Sequence, residues 1–184
     1  MAWLLKRFTG SNKVGMTART IEAIYGTIVA QAREPAFYTD CGVPDTVDGR
    51  FDMVVLHLWM VLGRLREFQN GQDLSQRLFD HFCADMDDNL REMGVGDLTV
   101  PKRMQAFGEA FYGRSAAYDS ALHAGEEELV AALNRNILNG RAIDNARRLA
   151  AYVKAAMSAL AEFDENRFVA GTWQFPSPWL QTGW

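Results

Sequence analysis

The sequence predicts an all-α fold: a single-domain bundle of about six helices followed by an extended aromatic C-terminal tail. Three observations carry that prediction. Apolar residues recur at the three- and four-residue spacing of one helix face over most of the chain. No stretch alternates apolar and polar residues with the period of two expected of a half-buried strand. The periodic segments stop at Pro35, Asn70-Gly71, Gly94-Val95-Gly96 and Asn139-Gly140, all of which break helices.

Residues 1–16 read as a lead-in, with Thr17 as the N-cap of a first helix over Ala18–Arg33. Its core stripe is Ile21, Ile24, Tyr25, Ile28 and Ala32. Residues 35–50 hold two prolines and two glycines and read as a loop. A second helix, about Asp52–Phe68, is apolar on most sides, which assigns it to the centre of the bundle. The third, about Asp73–Met93, sets Leu78, Phe82, Met86 and Leu90 on one side and Arg77, Asp80, Asp87, Asp88 and Arg91 on the other.

A hydroxyl cap and an early proline at Thr99-Val100-Pro101 open the fourth helix, whose stripe includes Val100, Phe107, Phe111 and Tyr118. Gly108 and Gly113 lie inside it. Glycine in a helix costs about 1 kcal/mol relative to alanine, so a packing or contact reason is expected for both. Gly125 and three glutamates open the fifth helix, where negative charge suits the helix N-terminus. The alanine-rich sixth runs over about Ala142–Phe163. The helical domain thus covers 17–165, and 166–184 form the tail. Prolines 176 and 178 favour an extended strap that packs Trp173 and Trp179 in a groove of the same domain.

The 184 residues carry a net charge of −4, too acidic for broad electrostatic binding of nucleic acid. Two cysteines, Cys41 and Cys83, form no CxxC pair and have no histidine at ligand spacing, so no zinc site is expected. The near-apolar run Met53–Leu62 is far shorter than the roughly 20 residues a bilayer span requires. The segment Met1–Phe8 has too short an apolar run for a secretion signal. Trp3 beside Leu4-Leu5-Lys6-Arg7 suits peripheral contact with a membrane surface.

Several polar positions stand out. His57, alone in the apolar run of the second helix, lies near Arg64 on a helical wheel. The pair reads either as a polar notch for a partner or prosthetic group, or as a buried histidine with an internal hydrogen bond. His81 and Asp85 stand four apart and can meet on one helix face. No Glu-x-x-His spacing exists to support a carboxylate-bridged metal site, and no metal or other cofactor is expected. Asp80, Asp85, Asp87 and Asp88 form an acidic face that is solvated or receives basic groups of a partner.

On the fourth helix, Arg103 and Arg114 flank Phe107 and Phe111, while Lys102 shares another face with Glu109 and Gly113. Arginine beside aromatics is the composition of an interaction hot spot. The competing reading is salt bridges to the acidic face of the third helix. Together these give a candidate partner surface of Arg64, Lys102, Arg103, Phe107, Phe111, Arg114, Asp85 and Asp88. It is pictured as a groove between the second, third and fourth helices with Arg64, Arg103 and Arg114 at its rim. Charge reversal at Arg103 and Arg114 is then expected to weaken capture with little loss of stability. No nucleophile elbow, phosphate loop, dinucleotide fingerprint or HExxH is present, so no catalytic residues are assigned.

The phrases FDMVVLHLWMVLGRL (51–65), LFDHFCADMDDNLREMGVGDLTVPKRM (78–104) and GEAFYGRSAAYDSAL (108–122) resemble the ubiquinol–cytochrome c chaperone family, the assembly factors of respiratory complex III. The resemblance spans roughly 17–160. It implies an all-helical, non-enzymatic chaperone whose client is cytochrome b during haem insertion. Mitochondrial members add an N-terminal extension, work with a small helper protein and attend the ribosome. Without an Arg/Ser-rich presequence, this chain resembles a bacterial form, cytoplasmic and near the inner membrane. The alternative function is a helical haem- or small-molecule-binding protein with His57 or His81 as ligand.

Overall fold

The computed structural model of the chain describes residues 6–69, 71–140 and 142–178, with side chains from residue 18 onward. Among these residues it is all α: six long helices, two single-turn ones and no strand. The first, α1, runs over Lys6–Ala32. Its start corrects the sequence reading, since residues 13–17 continue the helix rather than lead into it. The expected stripe is the buried one: Ile24, Ile28 and Ala32 are fully enclosed.

Pro35 ends α1 and at once begins α2 (Pro35–Thr39), because its fixed φ and missing N–H suit a first helical turn. The expected loop over 35–50 is therefore shorter. Helix α3 (Val47–Leu65) also begins five residues earlier than expected, at an N-cap on Thr46 whose hydroxyl accepts from Gly49 N–H at 3.1 Å. From Asp52 to Leu62 every α3 residue is buried, and the helix touches α1, α4, α5, α6 and α7. Its all-round apolarity is thus explained by a central position.

Helix α4 (Gly71–Glu92) follows after a turn tight enough that a Cβ on Gly71 would sit 1.5 Å from the Leu65 carbonyl oxygen. Gly94 ends α4 at φ 79°, in the left-handed region open to glycine. Helices α5 (Val100–Ala124), α6 (Glu126–Ile137) and α7 (Ile143–Ala161) form a second layer, with α6 packed between the other two. Gly108 and Gly113 of α5 meet no neighbour: a Cβ on either would find nothing within 4 Å. The described residues therefore supply no packing reason for them.

Residues 166–169, expected to open an extended tail, belong with Glu165 to the short helix α8 (Glu165–Val169), capped by Asp164 accepting from Arg167 N–H at 2.8 Å. Phe168 is fully buried. Beyond it Trp173 stacks on Phe168 at 4.5 Å, and Phe175 meets Trp173 edge-on at 5.5 Å. The described part of the tail closes the core over α1, α3 and α7. Trp3, Trp179 and Trp184 lie outside the described residues.

Candidate functional site

Most of the distinctive polar residues serve the interior. His57 is completely enclosed. Its Nδ1 lies 2.7 Å from the Met53 carbonyl, one turn back, and its Nε2 lies 2.8 Å from the Tyr152 hydroxyl. A carbonyl can only accept, so Nδ1 carries the proton and Nε2 accepts from Tyr152 O–H. Gln31 Nε2 donates to the Tyr152 oxygen at 3.1 Å and to the Pro176 carbonyl at 3.2 Å. One chain of hydrogen bonds thus ties α1, α3, α7 and the tail. Burial pulls the His57 pKa down to about 4 and keeps the ring neutral. With both nitrogens engaged it has no free ligand position, and Arg64 is no part of its surroundings.

Arg64 instead donates from Nη2 (2.7 Å) and Nε (3.3 Å) to the Phe163 carbonyl just past α7, pairs with Glu67 and stacks over Phe68. It clamps α7 to α3 rather than edging a groove. Arg114 reaches Asp52 of α3, Nη2 to Oδ1 at 2.6 Å, in a contact held by charge because the N–H is poorly aligned. The expected pairing of the α5 arginines with the acidic face of α4 does not form. Burial outweighs Arg114 and raises the Asp52 pKa to about 6.

Reversal of Arg114 sets a carboxylate against buried Asp52 and should lower unfolding free energy by about 3 kcal/mol. Arg103, which is exposed and has no side-chain partner among the described residues, should tolerate reversal within about 0.5 kcal/mol. Urea denaturation of the two single variants checks this. The expectation that both could be reversed at little cost is therefore kept for Arg103 alone and withdrawn for Arg114.

Asp52 and His57 also set opposing pH dependences. His57 is depressed from 6.5 to about 4 and disfavours charging, so stability falls as pH drops through that window, by up to about 3 kcal/mol. Asp52 is raised from 3.8 to about 6, so its contribution is lost as pH rises between those values. The two partly cancel between pH 4 and 6. In Asp52→Asn only the His57 limb remains, and the loss of stability from pH 7 to 4.5 should exceed that of the parent chain. Parallel urea-midpoint profiles would refute the assignment.

The remaining predicted residues divide between two surfaces. Phe111 packs on Phe79 (4.8 Å) and is buried among α4 and α5 aromatics at the floor of a shallow recess with Tyr112. Lys102 and Asp88 are exposed and have no side-chain partner among the described residues. His81 presents its ring to Tyr25 at 4.9 Å. Phe107 and Asp85, by contrast, line an open groove of about 250 Å³.

The groove lies between the end of α1 (Tyr25, Val29, Arg33), the start of α3 (Val47, Arg50, Phe51, Val54) and the last turns of α4 (Asp85, Met86, Asn89, Leu90, Met93), with Phe107 of α5 as its far wall. Phe51 and Phe107 stack at 4.8 Å, and Arg114 lies 5.9 Å over the Phe51 ring. Val47 is 69% exposed, Met93 59% and Leu98, in the following turn, 98%. Large apolar side chains left in solvent around an apolar groove mark an interaction surface.

The sequence pictured a groove between α3, α4 and α5; this groove shares α3, α4 and Phe107 of α5 with that picture and adds α1 as a side, with Arg33 just past it. The exposed apolar residues of an amphipathic helix end were the available signal. Among the described residues no cluster of His, Cys, Asp or Glu could hold a metal, and no helix is long and apolar enough to cross a membrane. Both cysteines are free; burial raises the Cys41 thiol to about 11.

Residues 39–175 match the family model described as ubiquinol–cytochrome C chaperone. The chain is 30% identical over 145 residues to the ubiquinol–cytochrome-c reductase complex assembly factor 1 of Xenopus laevis, covering 77% of this chain and 72% of that one. It is 28% identical to the mitochondrial protein CBP3 of Saccharomyces cerevisiae over 77% of this chain, which spans 44% of the longer yeast protein. The crystal structure of the Cbp3 homolog from Brucella abortus superposes with a TM-score of 0.83 at 36% identity, covering 97% of this chain and 98% of that one.

Proposed function

This chain belongs to the ubiquinol–cytochrome c chaperone family, and from that premise we propose that it binds newly made cytochrome b during assembly of the ubiquinol–cytochrome c reductase complex and carries out no catalysis. The observation that carries the client reading is the groove between α1, α3 and α4. Its walls are apolar and partly methionine (Met86, Met93), a side chain that reshapes to fit varied partners. Its lining includes the exposed Val47 and Met93. A membrane subunit awaiting its partners presents apolar helix segments that such a surface can cover. We place the work on the cytoplasmic side, close to the inner membrane, where that subunit emerges. A small helper protein, as the resemblance implies, would dock elsewhere on the chain.

Deleting the gene in its host tests the reading. Reduced-minus-oxidised spectra of membranes should lose the b-type absorbance of the reductase and retain that of the terminal oxidase, and cytochrome b should copurify with the tagged chain in the complemented strain. Normal b-type absorbance in the deletion strain would refute the role.

A further inference from the structure

The groove is polarised, and the polarity specifies what it accepts. We infer that it takes a two-turn apolar helical segment of the client bearing an acidic side chain at one end and a basic one at the other, and that Arg33 and Asp85 read those charges. This deepens the assembly reading and rests on it. Tyr25 and Val29 of α1 and Arg33 just past it follow one another at single-turn spacing on the groove side. Eight residues at 1.5 Å each set the Tyr25 and Arg33 Cα atoms about 12 Å apart along the axis.

At the Tyr25 end stands Asp85, whose Oδ2 accepts from Tyr25 O–H at 2.7 Å. That bond fixes the carboxylate on the wall and leaves Oδ1 for an incoming donor. At the other end Arg33 is exposed, and its guanidinium has no ion pair or hydrogen bond among the described residues. Arg50 also lines the groove, but it is neutralised by Asp45 at 2.7 Å. Between the ends the lining is Val29, Phe51, Val54, Met86 and Leu90.

Arg33 follows the last turn of α1, where a cation also suits the helix dipole. That role explains its charge. It does not explain why an unpaired guanidinium and a pinned carboxylate bracket an apolar trough. An apolar segment with opposite charges seven or eight residues apart satisfies both and buries its middle. Laid the other way round, such a segment meets like charge at both ends, so the groove also fixes the direction in which it lies.

An array of overlapping 15-residue peptides covering the host's own cytochrome b tests this. It is probed with the tagged full-length chain, with Arg33→Glu and with Arg33→Glu/Asp85→Lys. The strongest spots for the parent chain should carry an acid and a base seven or eight apart around apolar residues. Arg33→Glu should weaken them about tenfold. The double variant, whose two ends are exchanged, should recover part of the binding lost in Arg33→Glu, and circular dichroism confirms that both variants are folded. The single variant decides the matter should the loss of the Tyr25–Asp85 bond perturb the double one.

Equal binding by the parent and Arg33→Glu, or strongest spots lacking this charge spacing, overturns the inference. So does an array without signal while intact cytochrome b still copurifies, in which case the assembly role stands. If cytochrome b fails to copurify as well, both readings fall.

Discussion

Replacing His57 with alanine should lower the unfolding free energy by about 4 kcal/mol, the largest single effect expected in the chain. Two costs combine. The imidazole is fully enclosed, with Phe37 (5.4 Å) and Phe175 (5.0 Å) edge-on to it, and its removal leaves a cavity that three separate elements would have to close. It also strands the Tyr152 O–H in an apolar interior, while the Met53 carbonyl keeps its helical partner, the backbone N–H of residue 57. Tyr152→Phe removes the hydroxyl from the same network while keeping the ring, and should cost about 1–2 kcal/mol.

Because Gln31 carries the network to Pro176, His57→Ala should also loosen the tail. Trypsin cleavage at exposed Arg167 should then quicken, together with the lower urea midpoint. A His57→Ala chain as stable as the parent would remove the network from its place as the joint of the fold.

The second large effect is functional. Phe107→Asp should reduce recovered cytochrome b about tenfold in copurification from the complemented host. The stability cost should be only about 1 kcal/mol, for the lost stack on Phe51. Phe107 is half-buried on the groove's far wall, so an aspartate there places a charge where an apolar segment must lie without opening the core. Ile143→Asp, on an exposed apolar residue of α7 outside the groove's lining, is the control for added charge and should leave recovery unchanged. Equal losses from the two variants would show a general effect of added charge and count against the groove.

The family resemblance was legible in three long phrases, and the helices in their periodicity. The α1, α4 and α5 stripes read from spacing, Ile24 and Ile28, Leu78 and Phe82, Phe111 and Tyr118, are buried where they were expected. Boundaries were read less well where one residue can serve two roles. Pro35 stops one helix and starts another, and Thr46 was hidden inside a segment whose prolines and glycines suggested a loop.

The sequence by itself determined the all-α class, the central place of α3 and the aromatic character of the tail, because helical period and apolar content are local quantities that survive whatever the chain packs against. Only the tertiary structure decided what each polar residue does. Arg64 and Arg114, alike on paper as rim arginines, became a helix clamp and the partner of a buried aspartate, and His57 became a core joint. Arg33, unremarked at a helix end, emerged as the groove's open cation. A charged side chain's role is set by which partner comes within about 3 Å. Those partners lie 62 residues away for Arg114 and 95 for His57, beyond the reach of any local pattern.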